Sequence, residues 1–323
     1  MSPVAYHELE TELVVARREE AAEDVVALTL ADPNGRQLPQ WTPGAHIDLL
    51  LGPSLVRQYS LCGSVRQDGS WRIGVLRDPE SRGGSRTVHD ELQEGSTVHV
   101  RGPRNHFPLV RSPRYQFIAG GIGITPIMAM LEAVTSLGAE WSLLYGGRQR
   151  SSMAFVDELS RYDGRVTLWP QDEQGLLDLD AILGTPRDDT LVYCCGPEAL
   201  LNAVEERCAA WPAGSLRVER FSVKPQPQER PPDARDTFTV VCQRSGITIM
   251  VPPDKSIFDA VEEAGVDVVG SCMEGICGTC ECTVVDGTPD HRDSLLTERE
   301  REESDVMYIC VSRSRSDELV LDI

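Results

Sequence analysis

Short stretches with alternating apolar and polar residues dominate the first third of the chain. They predict strands near Glu12–Arg17, Val25–Leu30, His46–Leu51, Arg57–Leu61, Trp71–Leu76 and Thr97–Arg101. Strands of this length that are joined by turns, with few helices between them, are typical of an antiparallel sheet. We therefore expect an antiparallel β-barrel over residues 1–110.

Strand and helix patterns alternate in the middle of the chain. The predicted strands are Tyr115–Ala119, Trp141–Tyr145, Val166–Trp169, Thr190–Cys194 and Leu216–Arg220. The predicted helices are Pro126–Leu137, Ala154–Leu159 and Glu198–Cys208. Such alternation predicts a parallel sheet with helices on both faces, and ligands then bind at the carboxyl ends of the strands. We assign residues 111–223 to this α/β domain.

A proline-rich segment at residues 224–236 separates the last module from the rest. Its four prolines stand among polar residues, so it can neither form a helix nor bury a core. Beyond it the pattern predicts strands Thr237–Cys242 and Ile247–Val251 and helix Ser256–Ala264. The chain thus divides into 1–110, 111–223, a linker at 224–236, and 237–323.

Two turns in the middle module suit a nucleotide. The run Gly120-Gly121-Ile122-Gly123-Ile124-Thr125-Pro126 follows the first strand, with Thr125 expected as the helix N-cap and Pro126 as the first helical residue. Glycines let the backbone approach a pyrophosphate, and the helix start favours an anion. Cys195, Gly196 and Pro197 form a second turn at the end of the fourth strand. Either turn alone is also consistent with a simple tight connection.

The barrel carries two further candidate sites. Arg57 and Tyr59 alternate along a strand, so they share one face and present a cation beside a flat ring. The loop 82–86, which contains Arg82, precedes a helix predicted at Thr87–Leu92 and offers amides, a hydroxyl and a helix start to a phosphate. Each is also consistent with an ordinary solvated strand or loop.

The cysteines near the C-terminus carry the most specific motif. Cys272, Cys277 and Cys280 follow the spacing C-x4-C-x2-C, and Cys310 comes later in the chain. This is the ligand pattern of a plant-type [2Fe-2S] cluster. Zinc sites usually pair two C-x2-C knuckles, and the other alternative is a group of buried structural thiols. Cys282 is expected to be a buried thiol.

Composition and charge indicate which classes of partner the protein binds and in which cellular compartment it works. The formal net charge is −20, which argues against nucleic acid because phosphate binding requires Lys and Arg. No apolar stretch reaches the roughly 20 residues of a membrane span. Ten cysteines without a signal segment, half of them in the metal-type cluster, indicate a reducing cytoplasm.

Taken together, these motifs resemble the phthalate dioxygenase reductase family over nearly the whole chain. The matching segments are Arg57 to Leu61, Pro103 to Pro108, Gly120 to Pro126, Tyr193 to Pro197, Glu219 to Phe221 and Pro289 to Asp293. The resemblance implies a flavin barrel, a nicotinamide-binding α/β domain and an α+β ferredoxin domain of the β-grasp type, in that order. At Leu76 the chain departs from a lysine that family members carry.

The resemblance implies FMN, NADH and a [2Fe-2S] cluster as cofactors. The implied FMN contacts are Arg57, Gln58, Tyr59, Ser60, Gly74, Val75, Leu76, Gly83, Gly84, Ser85, Arg86, Thr125 and Phe221. The implied nicotinamide contacts are Gly120, Gly121, Gly123, Arg148, Cys195, Gly196 and Pro197. The implied metal ligands are Cys272, Cys277, Cys280 and Cys310.

The resemblance also implies a catalytic set. Ser60 and Thr125 are expected near the reactive edge of the flavin, and Cys195 near the nicotinamide. Phe221 is expected to cover the flavin plane and to swing aside when nicotinamide binds. Since nicotinamide gives two electrons together and the cluster accepts one at a time, the flavin must convert between them.

The identity of the donor and acceptor is less closely determined. The two arginines and two serines within residues 148–152 could bind a 2′-phosphate, as NADPH would require, but the resemblance favours NADH. The expected acceptor is the terminal oxygenase of a Rieske non-haem iron system, met through an acidic surface because residues 237–323 carry 18 acidic against 7 basic residues. A cytochrome P450, or an electron-carrying or redox-sensing role without a dedicated oxygenase, are the alternatives. A monomer is expected.

Overall fold

A computed structural model describes residues 9–52, 55–66, 69–79, 83–223, 236–296 and 298–323. The chain forms two compact units, Met1–Glu219 and Arg220–Ile323. Nearly all of the predicted linker, and Arg82 of the predicted phosphate loop, lie outside the described residues. No helix in the described part of the chain is long and apolar enough to cross a membrane.

The first part of the larger unit is an antiparallel barrel. Its elements are β1 (Leu9–Ala22), β2 (Val25–Ala31), β3 (His46–Gly52), β4 (Leu55–Ser60), β5 (Ser70–Leu76), α1 (Gly84–Glu91) and β6 (Thr97–Arg104). The strand order is β4-β3-β6-β1-β2-β5, and a bridge between Leu61 and Ile73 joins the two edges. Closure removes the exposed edges of the sheet.

The second part of the same unit is a parallel sheet with helices on both faces. Its elements are β7 (Arg114–Gly120), α2 (Ile124–Ser136), β8 (Glu140–Gly147), α3 (Val156–Leu159), β9 (Val166–Pro170), α4 (Gln171–Gln174), α5 (Leu179–Leu183), β10 (Thr190–Cys195), α6 (Glu198–Cys208) and β11 (Leu216–Glu219). The strand order is β11-β10-β7-β8-β9. The ends of β7 and β10 therefore lie side by side, which brings the two predicted turns together.

The barrel and the parallel sheet share hydrophobic core. Val25, Ala27 and Cys62 of the barrel are buried in one cluster with Ile127 and Phe155 of the α/β part. Shared burial of this kind fixes the relative position of the two halves, because separating them would expose apolar surface to water.

The smaller unit has its own core and an α+β fold. Its elements are β12 (Phe238–Cys242), β13 (Ile247–Val251), α7 (Ile257–Glu263), β14 (Glu281–Asp286), β15 (Pro289–Asp290), α8 (Glu298–Glu303), β16 (Val306–Tyr308), β17 (Arg313–Ser314) and β18 (Glu318–Leu321). The main sheet has the order β13-β12-β18-β14-β16, with β12 and β18 parallel. Ser256 caps α7, accepting a hydrogen bond of 3.0 Å from the backbone N–H of Asp259. The predicted fold class is confirmed in all three parts.

Candidate functional site

The barrel places Arg57 across the start of α1. A Cβ atom at Gly84 would lie 2.4 Å from Cγ and 2.8 Å from Nε of Arg57, so only glycine lets this side chain lie so close to the helix. Gly83 precedes the helix with a φ of 103°, which a side chain would strain. The free amides at the start of α1 and the Arg57 guanidinium together suit a phosphate.

The helix that forms this phosphate site begins three residues earlier than predicted. It starts at Gly84 and not at Thr87, so Gly84, Ser85 and Arg86 form its first turn. The Ser85 hydroxyl is buried and accepts a hydrogen bond of 3.1 Å from the backbone N–H of Asp78. Ser85 therefore ties the loop to the helix.

Strands β4 and β5, which carry Tyr59 and Gly74, both contact α1. Tyr59 packs against the barrel core, and burial raises the pKa of its hydroxyl. At Gly74 a Cβ atom would meet Thr125 Cγ2 at 2.8 Å and Phe155 Cζ at 3.1 Å. The Val75 carbonyl is held by His89 of α1, 3.0 Å from Nε2. The structure thus brings β5, α1 and Thr125 together as predicted, while Leu76 is partly exposed.

The two glycine turns contact each other directly. A Cβ atom at Gly123 would lie 2.2 Å from the Cys195 carbonyl oxygen, and one at Gly196 would lie 3.0 Å from Gly120 Cα. Because these contacts are to backbone, no side chain fits at these points. The two turns therefore pack backbone against backbone at this edge of the sheet.

The prediction that Thr125 caps α2 is wrong. A short 3₁₀ turn at Gly121–Gly123 runs straight into α2, which begins at Ile124, so Gly123 is the N-cap. Thr125 lies in the first turn and donates a hydrogen bond of 2.9 Å to the Ile122 carbonyl. Its methyl group faces Gly74.

Three polar residues converge where the barrel meets the carboxyl ends of the parallel strands. The Ser60 hydroxyl donates to Glu219 Oε2 at 3.4 Å. Cys195 and Glu219 are register partners on the neighbouring strands β10 and β11. The larger unit therefore places Ser60, Cys195 and Glu219 at one point. Sequence analysis assigned no role to Glu219.

The environment raises the pKa of both acidic groups of this trio. Burial raises the pKa of Glu219 to about 8, with the Ser60 hydrogen bond opposing the shift. Burial, and then the nearby Glu219 carboxylate, raise the pKa of the Cys195 thiol well above its ordinary value. A neutral thiol beside a carboxyl group that titrates near neutrality suits a site that receives an uncharged ring.

The remaining nucleotide candidates lie at the end of β8. Arg148 is exposed and its carbonyl accepts a hydrogen bond of 3.2 Å from the Asp172 N–H. Ser151 is tied to the barrel, since its hydroxyl donates to Glu23 Oε2 at 2.7 Å. It is therefore not free to bind a 2′-phosphate as the loop sequence suggested.

In the smaller unit, the four predicted cysteine ligands gather at one place. Hydrogen bonds from the Cys277 and Cys310 thiols lower the pKa of Cys272. A hydrogen bond from Cys310 likewise lowers the pKa of Cys280. All four are free thiols. The thiols thus form a chain of contacts from Cys277 to Cys272, Cys310 and Cys280. Four neighbouring thiols are the donor set that a [2Fe-2S] cluster needs.

A neighbouring segment braces the cysteine loop. The Ser294 N–H donates to the Gly275 carbonyl at 2.9 Å, and a Cβ atom at Gly275 would lie 3.1 Å from Asp293 Cα. The backbone N–H of Glu274 points to Cys272 Sγ at 3.3 Å. Amides directed at sulfur stabilise thiolate charge.

Cys282 does not belong to this group. It is buried, and burial raises the pKa of its thiol to about 12, with the Asp322 carboxylate and Cys242 among its neighbours. Within the described ranges, no group of three or more His, Cys, Asp or Glu side chains is positioned to hold a single metal ion. A two-iron cluster differs because each metal takes only two of the four thiolates.

The residues present fit the cofactors implied by the resemblance. Arg57 and the start of α1 would hold the FMN phosphate, and Tyr59 on β4 would lie beside the ring. Phe221 belongs to the smaller unit and its side chain is 43% exposed; its expected place over the flavin stays a prediction. The sequence carried no signal for Phe155 or His89, and Glu219 entered only as part of the family resemblance at residues 219–221, without a role.

Comparisons with known proteins agree with this geometry. Residues 240–315 match the family described as 2Fe-2S iron-sulfur cluster binding domain, and residues 117–206 match the oxidoreductase NAD-binding domain. Phenoxybenzoate dioxygenase subunit beta of Ectopseudomonas oleovorans is 40% identical over 94% of both chains. Phthalate dioxygenase reductase of Burkholderia cepacia is 35% identical over 96% of this chain and 97% of its own.

Two solved structures are similar to this chain. A phthalate dioxygenase reductase structure superposes with a TM-score of 0.70 at 33% identity, over 97% of this chain and 98% of the other. An intact type IV self-sufficient cytochrome P450 monooxygenase superposes with a TM-score of 0.88 at 45% identity. That match covers 97% of this chain and 41% of the monooxygenase.

Proposed function

Because the chain belongs to the phthalate dioxygenase reductase family, we propose that it is the reductase component of a multicomponent oxygenase. It is an NADH-dependent oxidoreductase with FMN and a [2Fe-2S] cluster. When bound, FMN takes two electrons from NADH as a hydride and releases them singly to the cluster. The observation that carries the proposal is the presence in one chain of a phosphate-and-ring site, paired glycine turns and four converging thiols.

The chain's own residues bind and orient these groups. Arg57 and the amides of α1 hold the phosphate, and Tyr59 supports the ring plane. The glycine turns at Gly120 and Gly196 let a dinucleotide approach the backbone. Preorganised contacts of this kind reduce the entropy cost of bringing two reactants together.

Ser60, Thr125 and Cys195 lie at the meeting point of ring and nicotinamide. Their neutral, buried side chains exclude water there and place no fixed charge beside the uncharged ring of the reduced nicotinamide. Glu219 holds Ser60 in place. Phe221 is proposed to cover the ring until nicotinamide displaces it.

The experiment is an anaerobic titration of the purified, cofactor-loaded protein with NADH and, separately, NADPH, followed by the visible spectrum. We expect flavin and iron–sulfur bands to bleach together, faster with NADH. Flavin bleaching without reduction of the cluster would contradict electron transfer within the chain. No response from a fully loaded sample would contradict the reductase function.

The acceptor is proposed to be a Rieske-type terminal oxygenase acting on an aromatic acid, as hydroxylase or O-demethylase. Relatives named as phthalate, toluenesulfonate and vanillate system components support this choice. The excess of acidic residues in 237–323 suits a basic docking surface. The proposal includes a transient complex with a monomeric reductase in a reducing cytoplasm, which ten free cysteines favour.

A cytochrome P450 is the second candidate acceptor. The superposition of this chain on 41% of a chain named as a self-sufficient cytochrome P450 monooxygenase supports it. Turnover assays with a Rieske oxygenase and with a P450, each as sole acceptor, separate these choices. Slow turnover with both would favour an electron carrier or redox sensor without a dedicated oxygenase.

A further inference from the structure

One arginine crosses from the barrel to the α/β part of the larger unit. Arg72 of β5 donates from Nη1 to Glu158 Oε2 at 2.9 Å and from Nη2 to Glu158 Oε1 at 2.7 Å, with Glu158 on α3. Glu19 Oε2 lies 3.7 Å from Nη2. Two parallel charge-assisted hydrogen bonds fix orientation as well as distance.

The same guanidinium covers a strained aromatic residue. Arg72 Cζ lies 4.9 Å from the centroid of the Phe155 ring. Phe155 has a φ of 62°, a left-handed conformation that is costly for a bulky residue. Its side chain is nonetheless almost fully buried in the core that the two halves share. Contacts with Arg72 and this core hold Phe155 in a conformation that it would not adopt alone.

The Phe155 ring packs against Gly74 of β5, the strand that we propose binds the flavin. Its Cζ atom and Thr125 Cγ2 both lie within about 3 Å of the position that a Gly74 side chain would occupy. Gly74 and Arg72 are on the same strand, two residues apart. A shift of α3 relative to β5 would therefore move Phe155 against Gly74 and Thr125.

We propose that Arg72, Glu158 and Phe155 form a clamp that sets the spacing between the flavin-binding strand β5 and the nicotinamide-binding turn before α2. This inference rests on the proposed function, since the spacing has meaning only if flavin and nicotinamide meet there. The three are positioning residues. A separate tie between the halves is the hydrogen bond of 2.7 Å from Ser64 Oγ to Glu132 Oε1.

The test uses the FMN-loaded full chain with Glu158→Gln and Arg72→Lys. We expect the rate of flavin reduction at saturating NADH to fall about 10-fold in Glu158→Gln and about 3-fold in Arg72→Lys, with KM for NADH changed less than about 2-fold. The long-wavelength absorbance of the flavin–nicotinamide complex should weaken in parallel. A merely structural role would not change that absorbance at equal cofactor content.

A second readout does not depend on activity. Hydrogen exchange in the cofactor-free chain should become faster in peptides covering residues 70–76 and 150–159 of Glu158→Gln. The matched control is Arg114→Gln, which breaks an ion pair between β7 and β8, with Arg114 Nη2 2.5 Å from Glu140 Oε2. It should leave reduction rate, absorbance and exchange at 70–76 unchanged.

The outcomes separate the clamp from the reductase function. If wild type is reduced by NADH and Glu158→Gln is reduced at the same rate with the same long-wavelength band, the clamp is refuted and the reductase function stands. If wild type is not reduced at all, both the clamp and the reductase function are refuted. Should Glu158→Gln fail to fold, Phe155→Leu tests the clamp through the same three readouts, and wild-type behaviour there would refute it.

Discussion

Ser60 and Glu219 are 159 residues apart in the chain, yet the Ser60 hydroxyl donates to Glu219 Oε2 at 3.4 Å. Ser60 ends a barrel strand, and Glu219 ends the last strand of the parallel sheet. The contact joins the barrel to the parallel sheet. It also places Ser60 near Cys195, the strand neighbour of Glu219. The trio therefore depends on the packing of both halves of the larger unit.

The raised pKa of Glu219 predicts a pH-dependent stability. Burial raises it from 4.5 to about 8, so between these values the folded chain holds a proton that the unfolded chain has lost. Stability contributed by this group is present below about pH 4.5, falls as the pH rises, and is lost above about pH 8. As the pH rises from 6 to 9, the melting temperature of Glu219→Gln should therefore fall less than that of wild type. Melting curves of both proteins at these pH values check this; parallel curves would show that Glu219 is ionised when folded.

Replacing Cys195 should change the rate of flavin reduction without changing the FMN content of the protein. Cys195→Ala should slow flavin reduction by NADH about 10-fold, because the neutral thiol touches the reacting pair while FMN is held elsewhere. Stopped-flow reduction and the flavin-to-protein ratio measure the two effects. In wild type, the thiol should also resist alkylation at pH 8, since it is buried and its pKa is raised. Cys194→Ala, on the opposite face of the same strand, is the control.

Gly84→Ala should weaken FMN binding about 10-fold. The new methyl group would lie 2.4 Å from Arg57 Cγ and push that side chain off the start of α1, removing a charge-assisted contact. Flavin fluorescence during dilution measures retention. Gly52→Ala is the matched control, because its new Cβ would meet only Leu55 Cβ at 3.7 Å. Equal retention in the two variants would place the phosphate elsewhere.

Replacing Cys280 and replacing Cys282 should affect the iron–sulfur cluster very differently, although the two residues are only two positions apart. Cys280→Ala should lose the [2Fe-2S] absorbance, because it removes one of the four adjacent thiols. Cys282→Ala should keep two irons per chain and lose only stability, by about 1 kcal/mol for a small cavity in the core. Iron analysis and visible spectra decide between them. Loss of iron from Cys282→Ala would mean that this thiol ligates metal.

Sequence patterns predicted the fold well because each part follows a simple period. Strand alternation located all six barrel strands, and the strand–helix alternation gave the five parallel strands to within a few residues. The cysteine spacing predicted four thiols that the structure brings close together, because three of them lie in one short loop. Such patterns can be read from the sequence because each depends only on residues that are close together in the chain.

The parts that escaped prediction depend on distant contacts. Nothing in the local sequence indicates that Phe155 takes a left-handed conformation or that its ring reaches Gly74. The early start of α2 follows from the 3₁₀ turn that precedes it, which moved the cap from Thr125 to Gly123. Glu219 acquires its raised pKa only when β11 is laid beside β10 and Ser60 is brought to it by the barrel.

The core shared by the barrel and the parallel sheet determines where this chain can be cut and rejoined. A genetic exchange near residue 110 would divide that core, leaving Val25 and Phe155 without their native partners. An exchange at the boundary between residues 219 and 220 leaves the cores of both units whole. Chimaeras that exchange only the cluster-bearing segment should therefore express as folded proteins, whereas chimaeras joined near residue 110 should aggregate unless both halves come from the same parent.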